Sequence, residues 1–110
     1  MQDASSSPVV SEAVERLRAL YGERLRAVAV RLPAPGPLPE DDADLELIAV
    51  LDDVADRAIE IHQLAGVVSD LGIEHTLYIL ATPVTEAEFA HPDETSGLLR
   101  MSLRDAVRVA

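Results

Sequence analysis

The residues best suited to chemistry are the acids of Asp41-Asp42-Ala43-Asp44-Leu45-Glu46. They open the apolar run Leu45 to Leu51, LELIAVL, which ends in Asp52-Asp53. Side chains two apart on a strand point to the same face. Asp42 and Asp44 are therefore expected to share a face at the entrance to a strand, with Glu46 next along it. Two convergent carboxylates suit a hard cation such as Mg²⁺, with waters and substrate phosphates completing the shell. A pair of ions held this way activates a hydroxyl and steadies the leaving oxygen of an in-line phosphoryl displacement. A solvated acidic loop is the plain counterpart of the same pattern.

Other polar residues offer less. His62 lies beside Glu60 and Gln63 in a solvent-facing stretch, His75 alternates with Leu77 and Ile79, and His91 precedes Pro92 in a loop. No pair has H-x-x-x-H spacing, which argues against zinc. Ser96 and Ser102 lack a G-x-S-x-G context, so a hydrolase elbow has no support. Cysteine is absent, which excludes disulfides, thiolate metal sites and a thiol nucleophile. Glu12, Glu15, Arg16 and Arg18 read as a solvated helix face with local ion pairs.

The elements that must position the acids follow from periodicity. Ser7-Pro8 suits a helix start, Val10, Val14, Leu17 and Tyr21 recur at helical spacing, and Gly22 is a stop. Arg26 to Leu32 reads as a strand. Pro33, Pro35, Pro37 and Pro39 then remove backbone donors and force a loop. Leu45 to Leu51 reads as a buried strand. Asp53 is expected to cap a helix from Val54 to Leu71, with Val54, Ala58, Ile61, Ala65 and Val68 on its apolar face and Gly72 closing it. Ile73 to Ala81 reads as the third strand. Thr85-Glu86-Ala87-Glu88 fits a capping box, and the stretch from Leu98 to Val107 is helical or mixed. The expected fold class is α/β, an α+β sandwich with one small mixed sheet and helices packed on it. Residues 1–10 are taken as a flexible N-terminus and 11–110 as a single domain.

Composition narrows the function. The chain has 110 residues, enough for one core. Twenty acids face nine bases, all of them Arg, for a formal net charge of −11. A phosphate-gripping basic patch is missing, and three aromatic residues are too few for base stacking, so direct nucleic-acid binding is not expected. No apolar run has the length of a membrane span. The first ten residues, MQDASSSPVV, lack a basic start and an apolar stretch, so no secretory signal is expected and a cytoplasmic protein is the default.

Over Val14 to Val109 the sequence resembles the minimal nucleotidyltransferases, small members of the DNA polymerase β-like superfamily. The resemblance rests on order and spacing. Leu20-Tyr21-Gly22-Glu23-Arg24-Leu25 leads into a strand, and Asp42-x-Asp44 opens an apolar strand ending in acids. Later come Ile79-Leu80-Ala81-Thr82-Pro83, then Glu86 to Phe89, Leu98-Leu99-Arg100 and Arg104-Asp105-Ala106-Val107. The family moves a nucleotidyl group from a nucleoside triphosphate to an acceptor hydroxyl. The resemblance thus implies Asp42 and Asp44 as catalytic residues and Mg²⁺ ligands.

The departures are specific. The family's Gly-Ser turn falls near Leu32-Pro33, where bulk and a missing N–H replace phosphate-binding donors, and only Arg31 stands near it. Its third Asp falls at Thr76. Glu74 and Glu46 are the candidate substitutes, although same-face strand neighbours lie ~6.6 Å apart. The sequence therefore points to a catalytically impaired pseudoenzyme with weak Mg²⁺ binding at most. Small family members pair with helical HEPN-type proteins as antitoxin and toxin, and an acidic surface suits a basic, RNA-cleaving partner. That protein and a nucleotide are the expected partners, and a homodimer is compatible with the sequence. The alternative is an active metal-dependent transferase.

Overall fold

The apolar run Leu45–Leu51 forms strand β2, and all seven of its residues are buried. A near-continuous apolar strand needs cover on both faces, and this one has it. In the computed structural model, which describes residues 7–33, 36–95 and 97–110, β2 sits inside a four-stranded mixed sheet. Residues 1–6 of the expected N-terminal tail, Ala34, Pro35 and Ser96 lie outside the described residues.

The element order is α1 (Pro8–Tyr21), β1 (Leu25–Arg31), β2, α2 (Arg57–His75), β3 (Ile79–Thr85), α3 (Glu86–Ala90), α4 (Gly97–Arg104) and β4 (Val107–Arg108). The sheet order is β3-β2-β1-β4. β1 runs antiparallel to both β2 and β4, while β2 and β3 are parallel and joined through α2. A parallel pair requires such a crossover. The short β4 was not anticipated by the apolar pattern, and its pairing closes the other edge of β1.

Alternation along β2 divides the core. Leu45, Leu47, Ala49 and Leu51 meet α1 and α2 through Val10, Ala13, Leu17, Leu64 and Leu71. Ile48 and Val50 meet the opposite layer, Val84, Phe89, Leu99 and Leu103, supplied by β3, α3 and α4. Glu46 is the one acid of β2, and it lies on that second face. The mixed α+β architecture thus agrees with expectation at the level of layers. No helix among the described residues is long and apolar enough to cross a membrane.

Four boundaries differ from the sequence reading. Val9 and Val10 are helical and buried, so the packed domain begins before residue 11. Asp56, not Asp53, caps α2, its side chain accepting from the N–H groups of Ala58 and Ile59. The buried face of α2 carries Leu64 and Leu71, with Val67 and Val68 beside them, while Ala58, Ile61 and Ala65 are exposed. Apolar residues surround much of this helix, so periodicity alone does not choose the face that meets the sheet.

Finally, Gly72 does not end α2, and the third strand is not Ile73–Ala81. The helix runs on to His75, and Thr76 turns the chain with φ 56° and ψ 49°. Leu77 N–H donates back to Gly72 C=O at 2.9 Å. A Cβ on Gly72 would stand 2.7 Å from Leu77 O, so this glycine serves a close backbone approach.

Candidate functional site

Asp42 closes a 3₁₀ turn, Pro39–Asp42, and is exposed. It therefore lies outside β2, and the strand alternation invoked for Asp42 and Asp44 does not reach it. Asp44 immediately precedes β2 and is tied to the parallel neighbour. Its Oδ2 accepts the Tyr78 N–H at 2.8 Å, and its own N–H donates to Tyr78 C=O at 2.7 Å. Asp44 thereby makes the rung that starts the β2–β3 ladder.

Glu46 is the deepest acid of the segment, at 6% exposure. The β1–β2 register sets Arg31 opposite it, and Arg31 Nη1 donates to Oε1 at 3.0 Å. Thr82 Oγ1 on β3 donates to Oε2 at 2.8 Å. Both carboxylate oxygens thus have partners, one from each flanking strand. A buried carboxylate in such company is charge-balanced and held in one orientation.

The expected substitutes for the third acid stand elsewhere. Thr76 is the left-handed residue beyond α2, not a strand residue. Glu74 lies on α2, and its carboxylate takes two bonds from Arg16 Nη2 on α1, at 2.8 and 2.7 Å. That contact lies between α1 and α2, on the opposite side of the sheet from Glu46. Leu32, at the position of the expected phosphate turn, is 71% exposed. With β1 ended at Arg31, Leu32-Pro33 offers no cradle of backbone donors.

Among the described residues, one set brings three ligating atoms within 4.8 Å of one another: Glu12, Glu74 and His75. Asp42, Asp44 and Glu46 make no such set. In the first cluster Arg16 already bridges Glu12 and Glu74, and His75 Nε2 lies 2.5 Å from Glu12 Oε2. The His75 contact, then Arg16, holds the Glu12 carboxyl below the usual range. The positive charge a cation would bring is supplied there by arginine. The local Glu12–Arg16 pair expected from the sequence is present, at 3.0 Å.

A cleft of about 750 Å³ opens beside β3, lined by Glu46, Thr82, Arg57, Glu88, Leu99 and Ser102 among others. One end is fastened by Arg57, which donates to both Glu88 oxygens, at 3.0 and 2.9 Å, and to Pro83 C=O. Glu88 also accepts the Thr85 N–H at 2.9 Å within the capping box. Burial pushes the Glu88 carboxyl up, but the Thr85 and Arg57 donors outweigh it and hold it below the usual range.

Sequence reasoning missed the Glu46–Arg31–Thr82 and Arg57–Glu88–Pro83 groups. Their signal was present in part: Arg31 and Glu46 fall opposite each other once the two strands pair antiparallel. A third strand over Ile73–Ala81 leaves Thr82 and Pro83 outside the sheet, whereas β3 includes both. His62 and His91 are exposed. No protein-family model, no curated protein and no solved structure matches this chain.

Proposed function

We propose that this chain is a protein-binding module with a nucleotidyltransferase-like arrangement of elements, and that it does not itself transfer nucleotidyl groups. The observation that carries the reading is the engagement of its acids. Asp44 gives Oδ2 to the Tyr78 N–H, and Glu46 gives both oxygens, to Arg31 and Thr82. A two-metal centre needs carboxylates that converge on the ions, whereas Asp42 lies on a 3₁₀ turn outside β2 and Asp44 has one oxygen on the Tyr78 N–H, so the strand does not aim the two together. Mg²⁺ at Asp42 and Asp44 is therefore expected to bind weakly, as a hydrated ion.

The partner in this reading is basic. A net charge of −11 favours encounter with a positively charged surface. The family resemblance implies a small helical HEPN-type protein, with this chain in the antitoxin-like role. The deciding experiment incubates the purified protein with α-labelled ribonucleoside triphosphates, Mg²⁺ or Mn²⁺, and candidate acceptors including a helical partner. No label transfer is expected. Transfer that disappears in Asp42→Asn would establish the active transferase instead.

A further inference from the structure

β3 is the last strand of the sheet, so one side of it has no strand partner. Successive residues of a strand alternate in the side to which their backbone groups point. Tyr78 faces β2, since it exchanges bonds with Asp44. Ile79, Ala81, Pro83 and Thr85 therefore direct their backbone groups outward. The second half of this edge is closed. Pro83 has no N–H, its C=O is taken by Arg57, and the Thr85 N–H is taken by Glu88. Such devices protect edges from unwanted pairing. Among the described residues, the first half, at Ile79 and Ala81, carries no such guard.

The surroundings of that open half differ between the two faces of the sheet, mainly apolar on one and half polar on the other. On one face a groove of about 380 Å³ runs between α2 and the start of β3, past Ala65, Val68 and Tyr78. On the other lies the larger cleft, where Leu80 and Leu99 stand beside Glu46, Thr82, Glu88 and Ser102. Ile61, Ile73 and Tyr78, 47%, 77% and 44% exposed, lie along α2 and the start of β3. An added strand sends alternate side chains to opposite faces, so one of alternating apolar and basic residues sets its apolar side chains in the α2 groove and its basic ones in the cleft that carries Glu46 and Glu88, while its backbone bonds to the edge. The charged side chains that line the cleft are Glu46, Glu88 and Arg57, two acids to one base, with Arg31 reaching Glu46 from β1. A second copy would bring another −11 to the same surface.

We propose that Tyr78 to Ala81 is a strand-addition site for an extended segment of another protein, apolar at alternate positions and carrying arginine or lysine between them. The proposal rests on the binding-module reading and names where and how that module binds. The probe is a short synthetic peptide of alternating isoleucine and arginine, with its isoleucine–glutamate counterpart as control. Amide hydrogen exchange is followed by NMR, residue by residue. The arginine peptide should protect the Ile79 and Ala81 amides, and the glutamate peptide should not. Ala81→Pro, which removes one outward donor, should weaken binding about tenfold. If Ala81→Pro disturbs the fold, as judged by circular dichroism, Ile73→Arg on exposed α2 surface should weaken binding in the same sense, since it takes an apolar contact from the groove and repels the basic peptide. Binding that leaves both amides unprotected, or equal protection by the glutamate peptide, would overturn the proposal. So would protection that grows with protein concentration alone while the sedimenting mass doubles, since the occupant would then be a second copy. The amide readout is independent of label transfer, so this site and the non-catalytic reading fail separately.

Discussion

Glu46 and Arg31 stand opposite each other on adjacent strands, at 8% and 17% side-chain exposure. Removing one member of a buried pair strands the other charge, which costs about 3 kcal/mol or more. Arg31→Leu is the harsher change, because it leaves the deeper Glu46 carboxylate with only the Thr82 hydroxyl. Glu46→Leu should cost less, and the double variant should regain most of the loss. Urea unfolding of the four proteins measures the coupling; strictly additive losses would show that the two side chains act independently. This pair also shows how far the site was legible. The acid segment stood out in the sequence, and Asp44 does lie where β2 begins. What the acids do was not legible, because it depends on partners from other strands. The Asp44 contact requires the β3 register, and a strand over Ile73–Ala81 leaves Thr82 outside it.

The junction between α2 and β3 is where element-level reading went astray. Ile73, His75, Leu77 and Ile79 alternate as a half-buried strand would, yet Ile73 is a helical residue with 77% exposure. Local alternation lost to the continuation of a long helix through Gly72. Thr76 then holds a positive φ that a β-branched residue adopts at a cost. Thr76→Gly should therefore raise stability by about 1 kcal/mol in thermal or urea unfolding. Gly72→Ala should lower it by about 1–3 kcal/mol, because the new methyl meets a backbone carbonyl, which cannot swing aside like a side chain. A neutral Gly72→Ala would show that the chain end of α2 shifts freely. By contrast, the capping box at Thr85 and Glu88 was legible, since its geometry is set by residues three apart. Thr85→Ala should cost about 1 kcal/mol by loss of the cap, and it also loosens the group that guards the end of β3.

At the scale of the whole molecule, charge decides the response to conditions. Arg16, Arg24, Arg26, Arg31, Arg57 and Arg104 each pair with a carboxylate within the chain. Much of the positive charge is thus spent internally, and the surplus of acids repels itself across the surface. Raising salt from about 0.02 to about 0.3 M cuts the Debye length from ~20 Å to ~6 Å. At neutral pH this should raise the melting temperature by a few degrees, because screening relieves the surplus more than it weakens short, partly buried pairs. Acid works in two opposed ways. Protonating surface carboxylates first removes repulsion, so the salt effect shrinks as pH falls toward the carboxylate range. Glu12 and Glu88, however, hold their protons less tightly folded than unfolded. Their contribution is complete above the ordinary glutamate value and is lost as pH falls through their lowered folded values. Stability should therefore decline on that lower limb, and Glu88→Gln should flatten it by removing one of the two groups responsible. Melting curves across pH at two salt concentrations check both limbs. A melting temperature that falls with salt at neutral pH would mean that the internal arginine pairs outweigh the acidic surplus, and the electrostatic argument for a basic partner would lose its footing with it.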